Sequence, residues 1–367
     1  MKIDLQLFRD ILSFDSTSGS EEALADFLLS ADIWSQKESN GQQGPNVKSW
    51  PVPEGGRNIL FSWGTPRVVF CTHLDTVPPY IPPTLVPEGG TLEGGTAEGG
   101  TPLGGSSSPE PAICGRGACD AKGQIISMIS VCRALAAEGL EGFGLLLVSG
   151  EETGSWGAKA FSKTGFSAPY LIVGEPTENK MVSASKGTKA FELTFCGEAF
   201  HSGYPQWGSS AVDAFVDFLN KLRAVDFGQD PLLGPTTWNI GRLVSDNPQN
   251  VLSPSLSCRL YFRTTFLSDD KVADVVERLM KEVQKSSSGI LAIGGDTPAH
   301  YLTLPGFESA PVAFGSDAPH LTGFEHKIIC GPGSIRYAHR DDERVSLAEL
   351  EKAADQYAAM FKALGSK

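Results

Sequence analysis

Four short apolar runs, VVFC (68–71), GLLLVSG (144–150), YLIVG (170–174) and KIIC (327–330), have the length and the β-branched, aliphatic content of strands buried on both faces. Between the first two lies QIISMISVCRALAAEG, in which Ile125, Met128, Ile129, Cys132 and Leu135 recur at helical spacing. Strand, helix, strand implies an α/β architecture: a mixed, mostly parallel sheet flanked by helices. A short helix is expected over residues 5–14. Ser18-Gly19-Ser20-Glu21 offers a capping box for the amphipathic EEALADFLL, and polar residues follow to about Lys48.

The middle of the chain changes character. AFELTFCG alternates, SAVDAFVDFLNKLRAV has helical spacing, TTWNIGRLV and LSCRLYFRTTF read as strands, Ser268 is placed to cap DDKVADVVERLMKEV, and GILAIGG closes the series. The order βαββαβ is that of a ferredoxin-like split unit. Its edges fall near residues 182 and 294, so 182–294 is expected as a smaller domain inserted into a larger one made of 1–181 and 295–367. Residues 87–111, PEGGTLEGGTAEGGTPLGGSSSPEP, are of low complexity. Such a tract lacks the apolar side chains needed to offset its ordering entropy, which predicts a flexible loop.

Composition narrows the function classes. Thirty Lys+Arg against 43 Asp+Glu leave a net charge of −13 over 367 residues, a field that repels phosphate backbones and anionic membrane surfaces, so nucleic acid and membrane are not expected partners. MKIDLQLFRDILSF lacks the features of a signal peptide, and no stretch offers about 20 consecutive apolar residues. The seven cysteines are odd in number and form no CxxC pair, which reads as a reducing cytoplasm rather than a disulfide framework.

Candidate chemistry collects at the ends of the predicted strands, where α/β sheets open into a crevice. VVFC runs into Thr72-His73-Leu74-Asp75, LLLVSG into Glu151-Glu152, LIVG into Glu175-Pro176 and IIC into GPGSIRYAH, which ends on His339; Asp120 stands just before the apolar helix in GRGACDAKG. Singly these have ordinary readings: a helix N-cap for Asp120, a solvated pair for Glu-Glu. Together, two imidazoles and several carboxylates are the donor set of a hydrolytic zinc site. Residues two apart in extended chain point the same way, so Asp75 can stand beside the His73 ring and fix its tautomer. Adjacent Glu151 and Glu152 project differently, so one can bind metal while the other serves as a general base. The two oxygens of Asp120 suffice to bridge two ions about 3.5–4 Å apart.

THLDTVP, GRGACDAKG, SGEETGSWGA, VGEPT, FHSGYP and GPGSIRYAH occur in the order found in the zinc-dependent family of acetylornithine deacetylases, succinyl-diaminopimelate desuccinylases, aminoacylases and carboxypeptidases. The chain resembles that family over nearly its whole length. The resemblance implies a dizinc catalytic domain, with cobalt or manganese as possible substitutes, and an inserted lid that also forms a homodimer. It implies that His73 and Glu175 ligate one zinc, that Glu152 and His339 ligate the other, and that Asp120 bridges them. Glu151 is then the general base, taking a proton from water and returning it to the leaving amine, while Asp75 orients His73. His201, in FHSGYP, matches a lid histidine that reaches the partner subunit's site, and Asn250 and Arg263 match positions that grip a substrate carboxylate. His300, His320 and His326 match no ligand position.

The substrate this implies is an N-acyl amino acid. LLGPTTWNIGRLVSDNPQN and GPGSIRYAH most resemble the branch acting on N-acetylornithine or N-acetylcitrulline in arginine biosynthesis. Acetyl-lysine or succinyl-diaminopimelate deacylation, a dipeptidase or carboxypeptidase, and a non-catalytic metal- and metabolite-binding relative are the alternatives. One departure stands out: the Gly-rich tract lengthens the connection from His73 to Asp120 and replaces a Trp-containing approach.

Overall fold

The computed structural model describes residues 1–34, 44–89, 110–283 and 289–365. Most of the Gly-rich tract, 90–109, lies outside the described residues, and with it the expectation of a flexible loop. Two compact units divide the chain. Met1–Ser183, Tyr301–Ala310 and Ser316–Lys367 make up the first, Ala184–His300 and Pro311–Gly315 the second, so the division falls a few residues beyond the expected edges at 182 and 294.

The first unit is built on a six-stranded sheet in the order Asn46–Pro51, Arg57–Trp63, Phe143–Val148, Val68–His73, Ala168–Val173, Phe324–Ile329. The last four are mutually parallel and the first two pair antiparallel. Four of these strands match the four apolar runs. The other two are not anticipated by the sequence reading: Asn46–Pro51, which begins within the stretch read as polar to about Lys48, is an exposed edge strand, and Arg57–Trp63, beyond that stretch, carries the buried run Asn58–Phe61. Val68–His73 and Phe143–Val148 are buried at every residue. Helices supply the cover. The helix Lys122–Ala137 packs against Leu347–Gly365, and both contribute to a core with Phe8, Phe61, Phe70 and Phe143, all fully buried. Burial of each such side chain stabilises by about 1.5–3 kcal/mol.

Local caps differ from expectation in two places. Helix Glu22–Leu29 begins with no side-chain cap: the Glu21 carboxylate accepts instead from the Gly19 amide at 2.9 Å, and the Ser18 hydroxyl donates to Asp75. Ser268 caps no amide of helix Val272–Val283; its hydroxyl accepts from the Thr265 amide and from the Thr236 hydroxyl. A true capping box forms where none was anticipated. Ser346 and Glu349 bond each other's backbone amides, at 3.1 and 3.2 Å, at the start of Leu347–Gly365.

The second unit holds an antiparallel sheet in the order Thr237–Val244, Ser255–Thr264, Gly187–Cys196, Gly289–Gly294, with helices Ala211–Arg223 and Val272–Val283 in the chain order of a split βαββαβ unit. Ser255–Thr264 alternates between buried and more exposed positions at period two. Its inward residues Leu256, Cys258, Leu260 and Phe262 join Phe215, Phe218, Val276 and Met280 in a separate core. No helix among the described residues is long and apolar enough to cross a membrane.

Candidate metal centre

The parallel strands of the first unit all end on the same edge of the sheet, and the polar residues that follow them converge there. His73 is the last residue of Val68–His73 and is almost fully buried. Its Nδ1 lies 2.9 Å from the Asp75 carbonyl oxygen and 3.4 Å from the Asp75 carboxylate. A carbonyl can only accept, so Nδ1 carries a proton and Nε2 is the ring nitrogen left to face the cluster. That Nε2 stands 3.1 Å from Asp120 Oδ1.

Asp75 also organises the neighbouring loop. Its two carboxylate oxygens accept from the amides of Glu151 and Glu152 at 3.0 and 3.1 Å, and Oδ2 accepts the Ser18 hydroxyl at 2.7 Å. Burial opposes ionisation of Asp75, yet these bonds and the His73 ring hold its pKa below the ordinary value. The chain turns sharply after Glu151, whose carbonyl accepts from Gly154 and Ser155. Glu152 Oε1 meets His339 Nε2 at 2.9 Å, and the same nitrogen is 3.4 Å from Asp120 Oδ2. His339 sits in the left-handed region at φ 65°.

Two groups result. Ligand atoms of His73, Asp120 and Glu175 lie within 4.8 Å of one another, as do those of Asp120, Glu152 and His339. Asp120 belongs to both, one oxygen facing each histidine.

The electrostatics suit cations. Burial pushes Glu175 and Glu151 well above the usual carboxylate range, helped by their negative neighbours, and Glu152 is raised by burial too. Glu175 Oε1 is buried with no hydrogen-bond partner. Burial disfavours charge on His73, but Asp120 and Asp75 outweigh it and raise its pKa well above normal; bonds to Asp120 and Glu152 raise His339 to about 10. Several desolvated carboxylates around two imidazoles are stable only with compensating positive charge, which protons or metal ions can supply. The residues therefore fit a metal pair, with donors that suit zinc and also manganese or cobalt.

The three candidates from the middle of the chain lie in the second unit. His201 is exposed, pairs its backbone with Val251 and accepts on Nδ1 from the Gly203 amide at 3.1 Å; the Asn250 carbonyl accepts from the next residue, Ser202. Arg263 lies in Ser255–Thr264 with its guanidinium 5.1 Å from the Tyr261 ring centre. Of the unassigned histidines, His300 stacks on Phe266 and His326 on Tyr170.

The family model described as peptidase family M20/M25/M40 matches residues 69–363. The chain belongs to this family. A probable carboxypeptidase of Aspergillus fumigatus is 31% identical over 392 residues, covering 98% of this chain and 86% of that protein. Among solved structures, a Staphylococcus aureus tripeptidase covers all of both chains with a TM-score of 0.77 at 16% identity. A dinuclear metal-binding M20 peptidase of Bacillus subtilis gives 0.64 at 13% identity, over 99% of this chain and 98% of that one. At those identities the solved structures show the shared fold. As an M20 peptidase the protein is a metal-dependent, carboxypeptidase-like hydrolase, and the two groups described above could each hold a metal ion.

Three polar residues near the centre escaped the sequence reading. Ser18 braces Asp75. Asp317, in FGSDAPHL, is buried, has one unpartnered carboxylate oxygen and is raised to about 6, chiefly by burial. Glu343 accepts the Asp120 amide from a position four residues past His339.

Proposed function

We propose that this M20 peptidase hydrolyses an amide bond whose leaving amine belongs to an amino acid with a free α-carboxylate. Carboxypeptidase action on a C-terminal residue and deacylation of an N-acyl amino acid are two forms of that reaction, because an N-acyl amino acid is the smallest substrate with such a bond. The family relative named as a probable carboxypeptidase favours the first form. N-acetylornithine or N-acetylcitrulline turnover, suggested by the motif resemblance, is the second.

One observation carries the reading: Asp120 is shared by two ligand groups while Glu151, adjacent to the ligand candidate Glu152, belongs to neither. In this scheme His73 and Glu175 hold one ion, Glu152 and His339 the other, and Asp120 both; zinc is the first candidate. When bound, such a pair lowers the pKa of water toward ~7 and polarises a carbonyl. Glu151 accepts the proton of the attacking water on its carboxylate and delivers that proton to the departing amine. Asp75 keeps the proton of His73 on Nδ1. Asn250 and Arg263 are proposed to hold the substrate carboxylate, Arg263 through its two-pronged guanidinium. His201 is proposed to stabilise the tetrahedral intermediate across a homodimer.

A substrate panel tests this. N-blocked dipeptides with a free C-terminus, the same peptides amidated, an unblocked tripeptide, N-acetylornithine, N-acetylcitrulline, N-acetyllysine and N-succinyl-diaminopimelate would be compared on metal-loaded protein. Turnover of free-carboxylate substrates and rejection of the amidated ones is expected, with KM rising in Arg263→Lys. A strict need for a free α-amine would replace the reading with an aminopeptidase. Bound metal with no turnover on any compound would revive the non-catalytic relative.

A further inference from the structure

Glu343 is fully buried, as is its ion-pair partner Arg116. The pair is close, Arg116 Nη1 donating to Glu343 Oε2 at 2.6 Å. Taken alone, this is a buried salt bridge, which is weak evidence of any function. The other carboxylate oxygen changes the picture. Oε1 accepts three backbone amides, those of Gly117, Cys119 and Asp120, each at 3.0 Å. The loop just before Asp120 is thus wrapped around one oxygen of one side chain. Gly117 lets the loop do this: it has φ 86°, and a Cβ there would meet Lys122 Cδ and Thr76 Cγ2 at 2.9 Å.

The same segment carries His339. Arg116 also donates to the Arg340 carbonyl at 3.1 Å, and the Glu343 carbonyl accepts from Gly115 at 3.0 Å. Beyond it, Arg344–Ser346 pairs antiparallel with Ala112–Cys114, so both segments enter the loop region in fixed register. Glu343 therefore joins the loop that delivers Asp120 to the segment that delivers His339.

We propose that Glu343 is a positioning residue for the metal centre: its Oε1, bonded to the three amides, sets where Asp120 points and so the spacing of the two ion sites that Asp120 shares. The proposal rests on the reading that Asp120 bridges two ions. Fixing a shared ligand acts on both sites, whereas any residue touching a single terminal ligand acts on one. Loss of comparable outer partners weakens metal binding or activity about 10–100-fold.

The test separates the acceptor oxygen from the buried charge. In an Arg116→Met background the charge partner is gone, so Glu343→Gln keeps an acceptor oxygen for the three amides and Glu343→Leu does not. Each protein is titrated with zinc by calorimetry, its melting temperature recorded, and kcat and KM measured on an N-blocked dipeptide. The Gln double variant should bind two ions near the affinity of Arg116→Met alone. The Leu double variant should bind both about 10–100-fold more weakly, with kcat falling and KM little changed. Equal metal affinity in the two would overturn the proposal, whatever their melting temperatures. If the Leu variant does not fold, Glu343→Asp in the natural background decides: it keeps the charge for Arg116 but is one methylene too short for the amides, and wild-type affinity for both ions would reject the positioning role. The underlying reading has its own control, since unmodified protein must take two zinc ions and Asp120→Asn must weaken both. Fewer than two ions in unmodified protein would sink the bridged centre, and the role of Glu343 with it, irrespective of the Glu343 variants.

Discussion

The two units put similar strands to different use. In the first, Val68–His73 and Phe143–Val148 are buried at every residue, so polar groups directly at their ends, such as His73, Asp75 and Ser149, are stripped of water and a charge there must be answered by a neighbour. In the second, Ser255–Thr264 buries only alternate residues, and polar side chains such as Ser255 and Ser257 remain in water. The difference shows in the carboxylates. Glu151 and Glu175 are pushed well above the ordinary range by desolvation, while Glu192, on the neighbouring strand of the second unit, pairs with Arg259 at 2.6 Å at the surface. Parallel sheets covered on both faces are thus suited to tuned acid–base chemistry, and one-sided antiparallel sheets to presenting a surface.

The strongest way to sharpen that contrast is to split the adjacent glutamates. With Glu151 as base and Glu152 as ligand, Glu151→Gln should keep both ions and lose about 10²–10⁴-fold in turnover. Glu152→Gln should instead weaken one ion site, partly restored by added zinc. Metal content and hydrolysis rate measured on both variants decide it. Near-normal turnover by loaded Glu151→Gln removes that residue from the base role, and metal loss confined to it would mean the roles are exchanged.

The cores offer the next test. Phe70 and Phe218 are both fully buried, one in each unit. Truncation of either to Ala should cost about 3–5 kcal/mol, read as a lower melting transition. Phe70→Ala should also weaken zinc binding, because its strand ends on His73, whereas Phe218→Ala should leave zinc affinity unchanged at temperatures where the protein is folded. Equal loss of zinc from both would show that the two cores do not act independently.

What the sequence revealed follows from where the constraint resides. Runs such as VVFC are readable because burial on both faces demands continuous apolar, β-branched residues, and the ligand candidates were found because they follow those runs directly. Asn46–Pro51 was missed because an exposed edge strand needs no apolar pattern. The capping box at Ser346 and Glu349 does carry a local signature, a Ser three residues before a Glu at the start of a helix. Glu343 is different: it meets Asp120 across 223 positions, and no local pattern marks such a pairing. Ser18 looked like a cap because a Ser three residues before a Glu fits that pattern, yet a buried carboxylate elsewhere was the stronger acceptor. The substrate side chain is set by shape in three dimensions, which motif order does not encode.

Metal removal probes the first unit alone. An ion at about 100 times its Kd stabilises the form that binds it by about 2.7 kcal/mol, so a chelator should lower the melting transition of the first unit and spare that of the second. A proton count accompanies this. His339 is raised to about 10 by its bonds to Asp120 and Glu152, so near pH 8 it is protonated and must give up its proton to bind an ion. Zinc affinity should therefore rise with pH toward about 10, and titrations in buffers of different ionisation enthalpy should show proton release. Binding without proton release would take His339 out of the ligand set.

The smallest expected effect belongs to Glu21, a buried carboxylate that touches no ligand. Its pKa is raised from 4.5 to about 6, first by burial and further by the charge of Asp75, although bonds from its own amide and from Gly19 pull the other way. A carboxyl group raised on folding holds its proton more tightly in the folded state, so its favourable contribution is complete below about 4.5 and is lost as pH climbs to about 6. Above that the ionised group is a fixed burden on the fold, aggravated by an Oε1 with no hydrogen-bond partner. Glu21→Gln removes the titration and keeps the shape and the acceptor for Gly19. Its melting temperature relative to the natural protein should rise between pH 4.5 and 6 and then level off, a difference that cancels every other carboxylate common to both. A difference that stays flat through this window would mean that Glu21 is solvated like an ordinary surface acid, and that the desolvated zone of the first unit stops short of it.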